Sequence, residues 1–373
     1  MKIAVCLFKY FPYGGLQRDF IQISRELLDR GHSLSVYTGA WDGEKPDYLD
    51  INILPTSGFS NHAKNKSFYQ QLQLALVENP VDLVFGFNKM PGLDVYFCAD
   101  TCFATKAYED KNWLYRMTPR CKWSLVYEEA VVSPEANAEI LLLSAVEGRA
   151  FQRYYNTPEK RLHLIPPGIK RDRVRHEDSD KEAASIRKEL NIKTDDKVIA
   201  FLGSDYKRKG LDRLLMSVAA LPDSVREAVK VLVIGRDKHL PDFQKLAERL
   251  EVADHIIFVG QRDDVPQLLF ASDYLAHPAY LENSGNAIVE ALVAGISVLC
   301  TEKCGNSTYI KKYDLGWVVP EPFDQVEMND LVLAMLHSEI NWRQRCAEFA
   351  KTADVYSSPI RIAEFIEKMG GHP

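Results

Sequence analysis

The sequence predicts an α/β protein built from two doubly wound parallel-sheet domains, and three observations carry that prediction. The chain of 373 residues is longer than one ordinary core supports and suits two domains. Short, continuous apolar runs alternate with helical stretches in two successive series, as strands buried on both faces of a parallel sheet require. Each series opens with such a run leading into a glycine-bearing loop and then a helix, the arrangement of a Rossmann-like unit.

Residues 3–8 (IAVCLF) read as the first strand. Gly14 and Gly15 make a turn, after which Leu16, Phe20, Ile23 and Leu27 repeat at helical spacing until Arg30-Gly31 stops the helix. Residues 33–38 (SLSVYT) are the next strand, so the chain opens with a βαβ unit, and such units connect right-handedly. Strands follow at 81–87 and 140–143. The rigid turn Ile165-Pro166-Pro167-Gly168 comes next, and the charged stretch 170–189 is expected to be a linker or exposed loop. In the second series, 198–203, 231–235, 256–260, 274–277 and 297–300 read as strands with helical segments between them. The last helix is expected after Ser357-Ser358-Pro359, with Ile360, Ala363, Ile366 and Met369 as its apolar stripe. The expected domain limits are 1–166 and 167–355, with the helix in 356–373 packing back on the first domain.

Composition excludes several classes of protein. With 46% hydrophobic and 26% charged residues, 20 Gly and 18 Pro, the chain is neither disordered, collagenous nor disulfide-stapled. The net charge of −6 leaves no overall nucleic-acid footprint. Residues 1–170 hold 19 basic and 19 acidic residues, so 171–373 carry the whole acidic excess, 27 against 33. The seven cysteines are scattered, two pairs have a C-x3-C spacing without accompanying His pairs, and several lie in apolar runs, so they read as buried reduced thiols. The first apolar run is too short for a signal peptide, and no stretch approaches the roughly 20 apolar residues of a membrane span. A cytoplasmic or peripheral protein is expected.

Three loops have the residues for chemistry. The first, 9–16 (KYFPYGGL), leads into a helix start, where backbone N–H groups favour an anion and glycine permits close approach; a tight structural turn reads equally well. It is not a G-x-G-x-x-G fingerprint, and the second strand ends in Thr38-Gly39 with no acid placed for a ribose. The second, 203–210 (GSDYKRKG), sets three consecutive cations between a buried strand and a helix, at the sheet edge where such folds bind ligands. Arg208 can grip a phosphate bidentately and Lys209 supplies a point charge, so together they could neutralise a diphosphate without a metal. No carboxylate cluster has a convincing metal-ligand pattern. The third, 277–290 (HPAYLENSGNAIVE), follows another buried strand. Asn283, Ser284 and Gly285 are helix-start residues, which puts Glu282 in the loop and Glu290 inside the helix. Glu290 lies among Ile288, Val289, Ala291 and Leu292 and needs a hydrogen-bonding partner if buried, a role ribose hydroxyls would fill. The helix start at Gly285 and Asn286 would receive phosphate, with Glu282 reaching the sugar. An ordinary exposed glutamate is the alternative.

Residues 111–123 (KNWLYRMTPRCKW) combine Lys111, Arg116, Arg120 and Lys122 with Trp113, Tyr115 and Trp123, and contain no acid. That mixture suits an anionic membrane surface, where aromatic rings lie at headgroup depth and each cation contributes about 1 kcal/mol. Pro119 interrupts any continuous helix, and the acids at 109, 110, 128 and 129 flank the segment, so a plain surface element is the competing reading.

These stretches together resemble the retaining glycosyltransferases of the GT-B fold in glycosyltransferase family 4, and within them the core glucosyltransferases of lipopolysaccharide that act on an inner-core heptose. The resemblance rests on KYFPYGGLQRDF (9–20), GFNKMPGLDVYFCAD (86–100), PPGIKRDR (166–173), GSDYKRKGLDR (203–213), HPAYLENSGNAIVEALVAG (277–295), Cys304-Gly305 with Tyr309-Ile310, and DVYSSP (354–359). It runs almost end to end. It implies two domains facing a central cleft, a UDP-sugar held mainly by the second domain, and an acceptor entering from the first. By residue, it implies Arg208 and Lys209 on the pyrophosphate, Glu290 on the ribose, Glu282 on the transferred sugar, and Arg173 on the donor phosphates or sugar. Gly15 would face the leaving diphosphate, Asp19 the glycosyl group or acceptor, and Arg262 the uracil. Asp100 is the candidate for acceptor positioning or proton uptake. No cofactor or metal is implied, and the site of action is the cytoplasmic face of the inner membrane.

The reaction needs charge stabilisation on the leaving oxygen more than a strong base. No dedicated nucleophile stands out, so front-face attack is expected, with the departing phosphate taking the acceptor proton and Glu282 hydrogen bonding rather than forming a glycosyl ester. Asn283 and Ser284 stand where small apolar residues such as Ala-Ala are expected, which leaves glucose, another hexose or an N-acetylhexosamine as the donor sugar. The competing functions are a sugar-nucleotide epimerase of similar fold and a non-catalytic UDP-sugar-binding, membrane-associated protein.

Overall fold

The structure, a computed structural model, describes residues 1–12 and 14–371. The chain divides into two compact units, one formed by Met1–Gly168 with Ser357–Pro373 and the other by Ile169–Tyr356.

The first unit holds a seven-stranded sheet of β1 (Lys2–Leu7), β2 (Ser33–Thr38), β3 (Asp50–Ile53), β4 (Leu83–Gly86), β5 (Val95–Cys98), β6 (Glu139–Leu142) and β7 (Leu162–Leu164). Their spatial order is β3-β2-β1-β4-β5-β6-β7, and every pairing is parallel. The strand order reverses between β1 and β4, the switch point at which an open α/β sheet leaves a crevice beyond its carboxyl ends. Alternate side chains of β1 serve different layers, as the two-residue period of a strand dictates. Ile3, Val5 and Leu7 pack with Phe20, Ile23 and Leu27 of the helix Gly15–Asp29, and with Ile362, Ala363 and Ile366 of the helix Ser358–Met369. Ala4 and Cys6 face the opposite layer, with Phe68 and Leu72 of the helix Asn61–Glu78, Tyr127 and Val131 of the helix Pro119–Val132, and Phe151 of the helix Ala145–Tyr155.

The C-terminal helix is tied to this unit by charge as well as packing. Arg30 donates to Glu367 at 2.9 Å, and the His32 ring lies 3.2 Å from the same carboxylate. Its buried stripe is Ile362, Ala363 and Ile366, whereas Ile360 and Met369, two of the expected stripe residues, are exposed. At about 100° per residue Ile360 lies well off the face shared by Ile362, Ala363 and Ile366, and Met369 falls at the last position of the helix.

The second unit holds β8 (Lys197–Leu202), β9 (Val229–Ile234), β10 (Ile256–Gly260), β11 (Tyr274–His277), β12 (Ser297–Thr301) and β13 (Gly316–Val319), in the order β10-β9-β8-β11-β12-β13 and all parallel. The reversal here falls between β8 and β11, so the loops that follow these two strands flank the switch point. Residues 170–189 are not a linker: Arg171–Arg173 form a 3-10 turn, and Ser179–Glu189 form a helix whose Ala183 and Ile186 are buried in the core of this unit. Charges on the outer face of a one-sided helix masked its two inward residues. All seven cysteines are buried thiols.

Candidate active site

At the switch point of the second unit, two glycines allow the loops after β8 and β11 to interlock. Gly203 has φ 133°, and a β-carbon there would lie 2.5 Å from Cε of Lys209, so a side chain would obstruct the fold of the lysine across the loop. Gly210 has φ 81°, and its β-carbon would meet the Pro278 carbonyl oxygen at 2.0 Å. The Tyr280 amide donates to the Arg208 carbonyl at 2.8 Å. The loop after β11 is held from beneath by Arg213, whose guanidinium lies 3.6 Å from the centroid of Tyr280 and 3.5 Å from that of Phe323, and donates to the carbonyls of Pro278 and Ala279.

This frame brings three of the expected site residues together. Lys209 Nζ donates to Glu282 Oε2 at 2.9 Å, and Arg208 Nη1 donates to the same oxygen at 2.8 Å. Arg208 also reaches Asp205 through Nε at 3.0 Å. Burial alone would push the Glu282 carboxyl up, yet the charges of Lys209 and Arg208, both within hydrogen-bond distance, hold it well below the usual carboxylate range. Lys207, the third cation of the run, turns aside to pair with Asp212 and Tyr280. Two of the three consecutive cations therefore face the carboxylate, and the Glu282 backbone is fixed by Gly305, whose amide donates to its carbonyl at 3.2 Å.

His277 closes the arrangement from inside the sheet. Its ring is fully buried, Nε2 lies 3.6 Å from Glu282 Oε2, and neither ring nitrogen has a hydrogen-bond partner. Burial, reinforced by the charge of Lys209, lowers its pKa to about 4, so the ring is neutral at pH 7. Sequence reasoning gave His277, Arg213 and Tyr280 no role. Their signals were a histidine ending an apolar strand, YLAH, and an arginine one turn into the helix after the cation run.

Glu290 is buried in the helix Asn286–Val293, which starts after Gly285 in the left-handed conformation (φ 75°). A β-carbon on Gly285 would lie 3.3 Å from Cγ of Glu282, so the helix start and the loop carboxylate are close neighbours. Arg173 is largely buried, and its Nη1 has no partner. Arg262 pairs with Glu189 at 2.7 Å and Asp264 at 2.6 Å, which draws its guanidinium into an ion-pair network of its own.

In the first unit, the loops after β1 and β4 flank the switch point. The two glycines of the first loop differ in kind. A β-carbon on Gly14 would strike the Gln17 side chain, whereas one on Gly15 would meet nothing within 4 Å. Gly14 serves the turn and Gly15 leaves the start of the helix Gly15–Asp29 open; Tyr13 lies outside the described residues. Asp19 is half-buried on that helix, and Asp100 is exposed just beyond β5. Below Asp100 lies a buried cluster that sequence reasoning missed. Lys89 pairs with the fully buried Glu128, which also accepts from the amides of Phe103 (2.7 Å) and Ala104 (2.9 Å) and from the Tyr155 hydroxyl (2.8 Å). The visible signal was the spacing of Glu128 from Cys121, Val131 and Val132, which places it on the buried face of its helix.

The cationic and aromatic segment forms two helices, Trp113–Arg116 and Pro119–Val132, the second opened by Pro119 and capped by Thr118. Lys111, Trp113, Arg120 and Lys122 are exposed, as are Leu114 and Met117, and Tyr115 and Arg116 are half-buried. Trp123 points the other way, its ring tilted at 31° and 4.2 Å from that of Tyr127, and packs half-buried against the core layer. Among the described residues, no group of three or more His, Cys, Asp or Glu could hold a metal ion, and no helix is long and apolar enough to cross a membrane.

Comparison with known proteins agrees over nearly the whole chain. The family model for Glycosyltransferase Family 4 matches residues 13–173, and that for Glycosyl transferases group 1 matches residues 182–353. The lipopolysaccharide glucosyltransferase WaaG of Escherichia coli K12 is 39% identical over 98% of both chains. The crystal structure of WaaG, a glycosyltransferase involved in lipopolysaccharide biosynthesis, superposes with a TM-score of 0.91 at 38% identity, covering 98% of this chain and 99% of that one. Anabaena HepE in complex with UDP-glucose shares the fold, with a TM-score of 0.76 at 17% identity and 99% of each chain covered. The chain is a glycosyltransferase of the GT-B fold and belongs to the family that includes the lipopolysaccharide glucosyltransferase WaaG.

Proposed function

We propose that the protein transfers a hexose, with retention of configuration, from a UDP-sugar to a heptose of the lipopolysaccharide inner core at the cytoplasmic face of the inner membrane. The observation that carries this reading is the convergence of Arg208 and Lys209 on Glu282 at the switch point of the second unit. A donor diphosphate competes with Glu282 for the same two cations. Once phosphate takes them, the carboxylate is released to accept hydrogen bonds from the sugar, and the neutral His277 remains beside it. Arg173 adds a cation with an unused donor, the helix after Gly285 offers its N–H groups, and Glu290 takes the ribose.

As the bond between the sugar C1 and the diphosphate oxygen breaks, negative charge grows on that oxygen and the sugar becomes oxocarbenium-like. Arg208 and Lys209 stabilise the first, and the ionised Glu282 stays hydrogen bonded to the second. The acceptor hydroxyl attacks from the same face and passes its proton to the departing phosphate. Two fixed cations supply the charge that a divalent ion supplies elsewhere, so turnover does not need a metal. The support for glucose as the sugar is the similarity to the glucosyltransferase WaaG, and the support for UDP is the shared fold of HepE in complex with UDP-glucose. The exposed Lys111, Trp113, Arg120 and Lys122 favour contact with anionic lipid.

Turnover of UDP-glucose with a heptose-terminated lipid core, followed as UDP release, tests the reading. It is expected to persist in excess chelator and to fall about 10²- to 10³-fold in Lys209→Ala, the usual loss when one preorganised donor to a developing oxyanion is removed. Glu290→Ala is expected to raise the donor KM. Wild-type rates in both variants would overturn the site, and an epimerised nucleotide sugar in place of product would overturn the reaction.

A further inference from the structure

The cluster beneath Asp100 belongs to no part of the donor site, yet its position is that of a working element. Lys89 lies in the loop after β4, on one side of the switch point of the first unit, where open α/β sheets bind their ligands. A cation there would ordinarily face the crevice. Instead Lys89 turns inward, donating to the Thr101 carbonyl at 2.8 Å and pairing with Glu128. Glu128 in turn gathers the amides of Phe103 and Ala104 and the hydroxyl of Tyr155. Glu147 accepts from the Cys102 amide at 2.5 Å. Two buried carboxylates and one lysine thus hold the backbone of residues 101–104, the segment that directly follows Asp100. Burial pushes the Glu147 carboxyl up, while Lys89 and the two amides hold that of Glu128 down against its own burial.

The cluster also joins two elements that have separate tasks. Glu128 sits on the inner face of the helix Pro119–Val132, whose outer face carries Arg120 and Lys122. A satisfied buried network of this kind fixes geometry rather than adding stability, because desolvation of its charges offsets their attraction.

We propose that Lys89, Glu128 and Glu147 are positioning residues for the sugar acceptor: they hold residues 101–104, and through them the adjoining Asp100, in register with the surface helix, so that an acceptor anchored in lipid meets a preformed turn. This rests on the reading of the first unit as the acceptor unit. The experiment measures initial rates of wild type, Lys89→Met, Lys89→Arg and Tyr155→Phe, varying UDP-glucose and a heptose-terminated lipid core in anionic vesicles separately, with thermal unfolding of each protein alongside. Lys89→Met is expected to raise the acceptor KM about tenfold while the donor KM stays within about twofold, and Lys89→Arg to recover most of the loss. Tyr155→Phe removes one hydrogen bond and leaves the ion pair intact, so it decides the matter if Lys89→Met does not fold; its acceptor KM is expected to rise about twofold to threefold. Equal rises in both KM values, or an unchanged acceptor KM despite a lower unfolding temperature, would show a purely structural cluster and overturn the proposal. A wild-type protein that transfers nothing to this acceptor overturns the acceptor reading itself, and the proposal with it.

Discussion

Glu282 and His277 show how much of this site depends on single protonation states. The carboxylate is ionised because two cations converge on it, and the adjacent ring is neutral because it is buried beside one of them. The two groups act on stability in different pH windows. His277 binds its proton only below about pH 4 when folded, against 6.5 in its ordinary state, so the unfolded chain holds more protons throughout that window. Stability therefore falls as pH drops from 6.5 towards 4, by roughly 3 kcal/mol at most for this group. Glu282 is depressed below 4.5, and its contribution is lost only as pH falls further. Urea unfolding from pH 7 to 4 is expected to show a steeper loss in wild type than in His277→Asn; identical slopes would mean that the ring is not held neutral. Residues 203–210 announced their chemistry in the sequence because three cations interrupt an apolar pattern. His277, Arg213 and Lys89 did not, since each is significant only for what the fold places beside it.

Among strands buried on both faces, β1, β8 and β12 stand out as continuous apolar runs and were legible, whereas β5 (VYFC), equally buried, was not read. β3 (DINI) and β7 (LHL) were not, because short edge strands alternate apolar and polar residues over too few positions to show a period. β13 (GWVV) was not among the expected strands; it begins on Gly316, where a β-carbon would lie 2.0 Å from the Val298 carbonyl oxygen. The surface segment was legible as a composition but not as a face. Trp123 turned out to pack inward, while Leu114 and Met117 joined the exposed side. Two of the flanking acids are also engaged, Glu128 with Lys89 and Glu109 with Arg153 at 2.8 Å, which leaves the local cations less opposed than the sequence suggests. Each cation near an anionic leaflet contributes about 1 kcal/mol, so flotation with anionic liposomes is expected to weaken by at least about tenfold when Lys111, Arg120 and Lys122 are all neutralised. Undiminished flotation would show that the segment is not the anchor.

Over the whole molecule, two parallel sheets are each built around a switch point, and the chain crosses from the first unit after Gly168 and returns at Ser357. The net charge of −6 conceals the two features that matter, an exposed cationic segment in one unit and a pair of cations aimed at a carboxylate in the other. Membership of the glycosyltransferases follows from the fold and the near end-to-end similarity, whereas the proposal of glucose as the transferred sugar meets Asn283 and Ser284 where small apolar residues are expected. The most direct test is mass spectrometry of a heptose-terminated lipopolysaccharide core incubated with the protein and UDP-glucose, UDP-galactose or UDP-N-acetylglucosamine in separate reactions. Addition of a single hexose, with the greatest yield from UDP-glucose and none in the Lys209→Ala variant, is the expected result; a core of unchanged mass with every donor would contradict it.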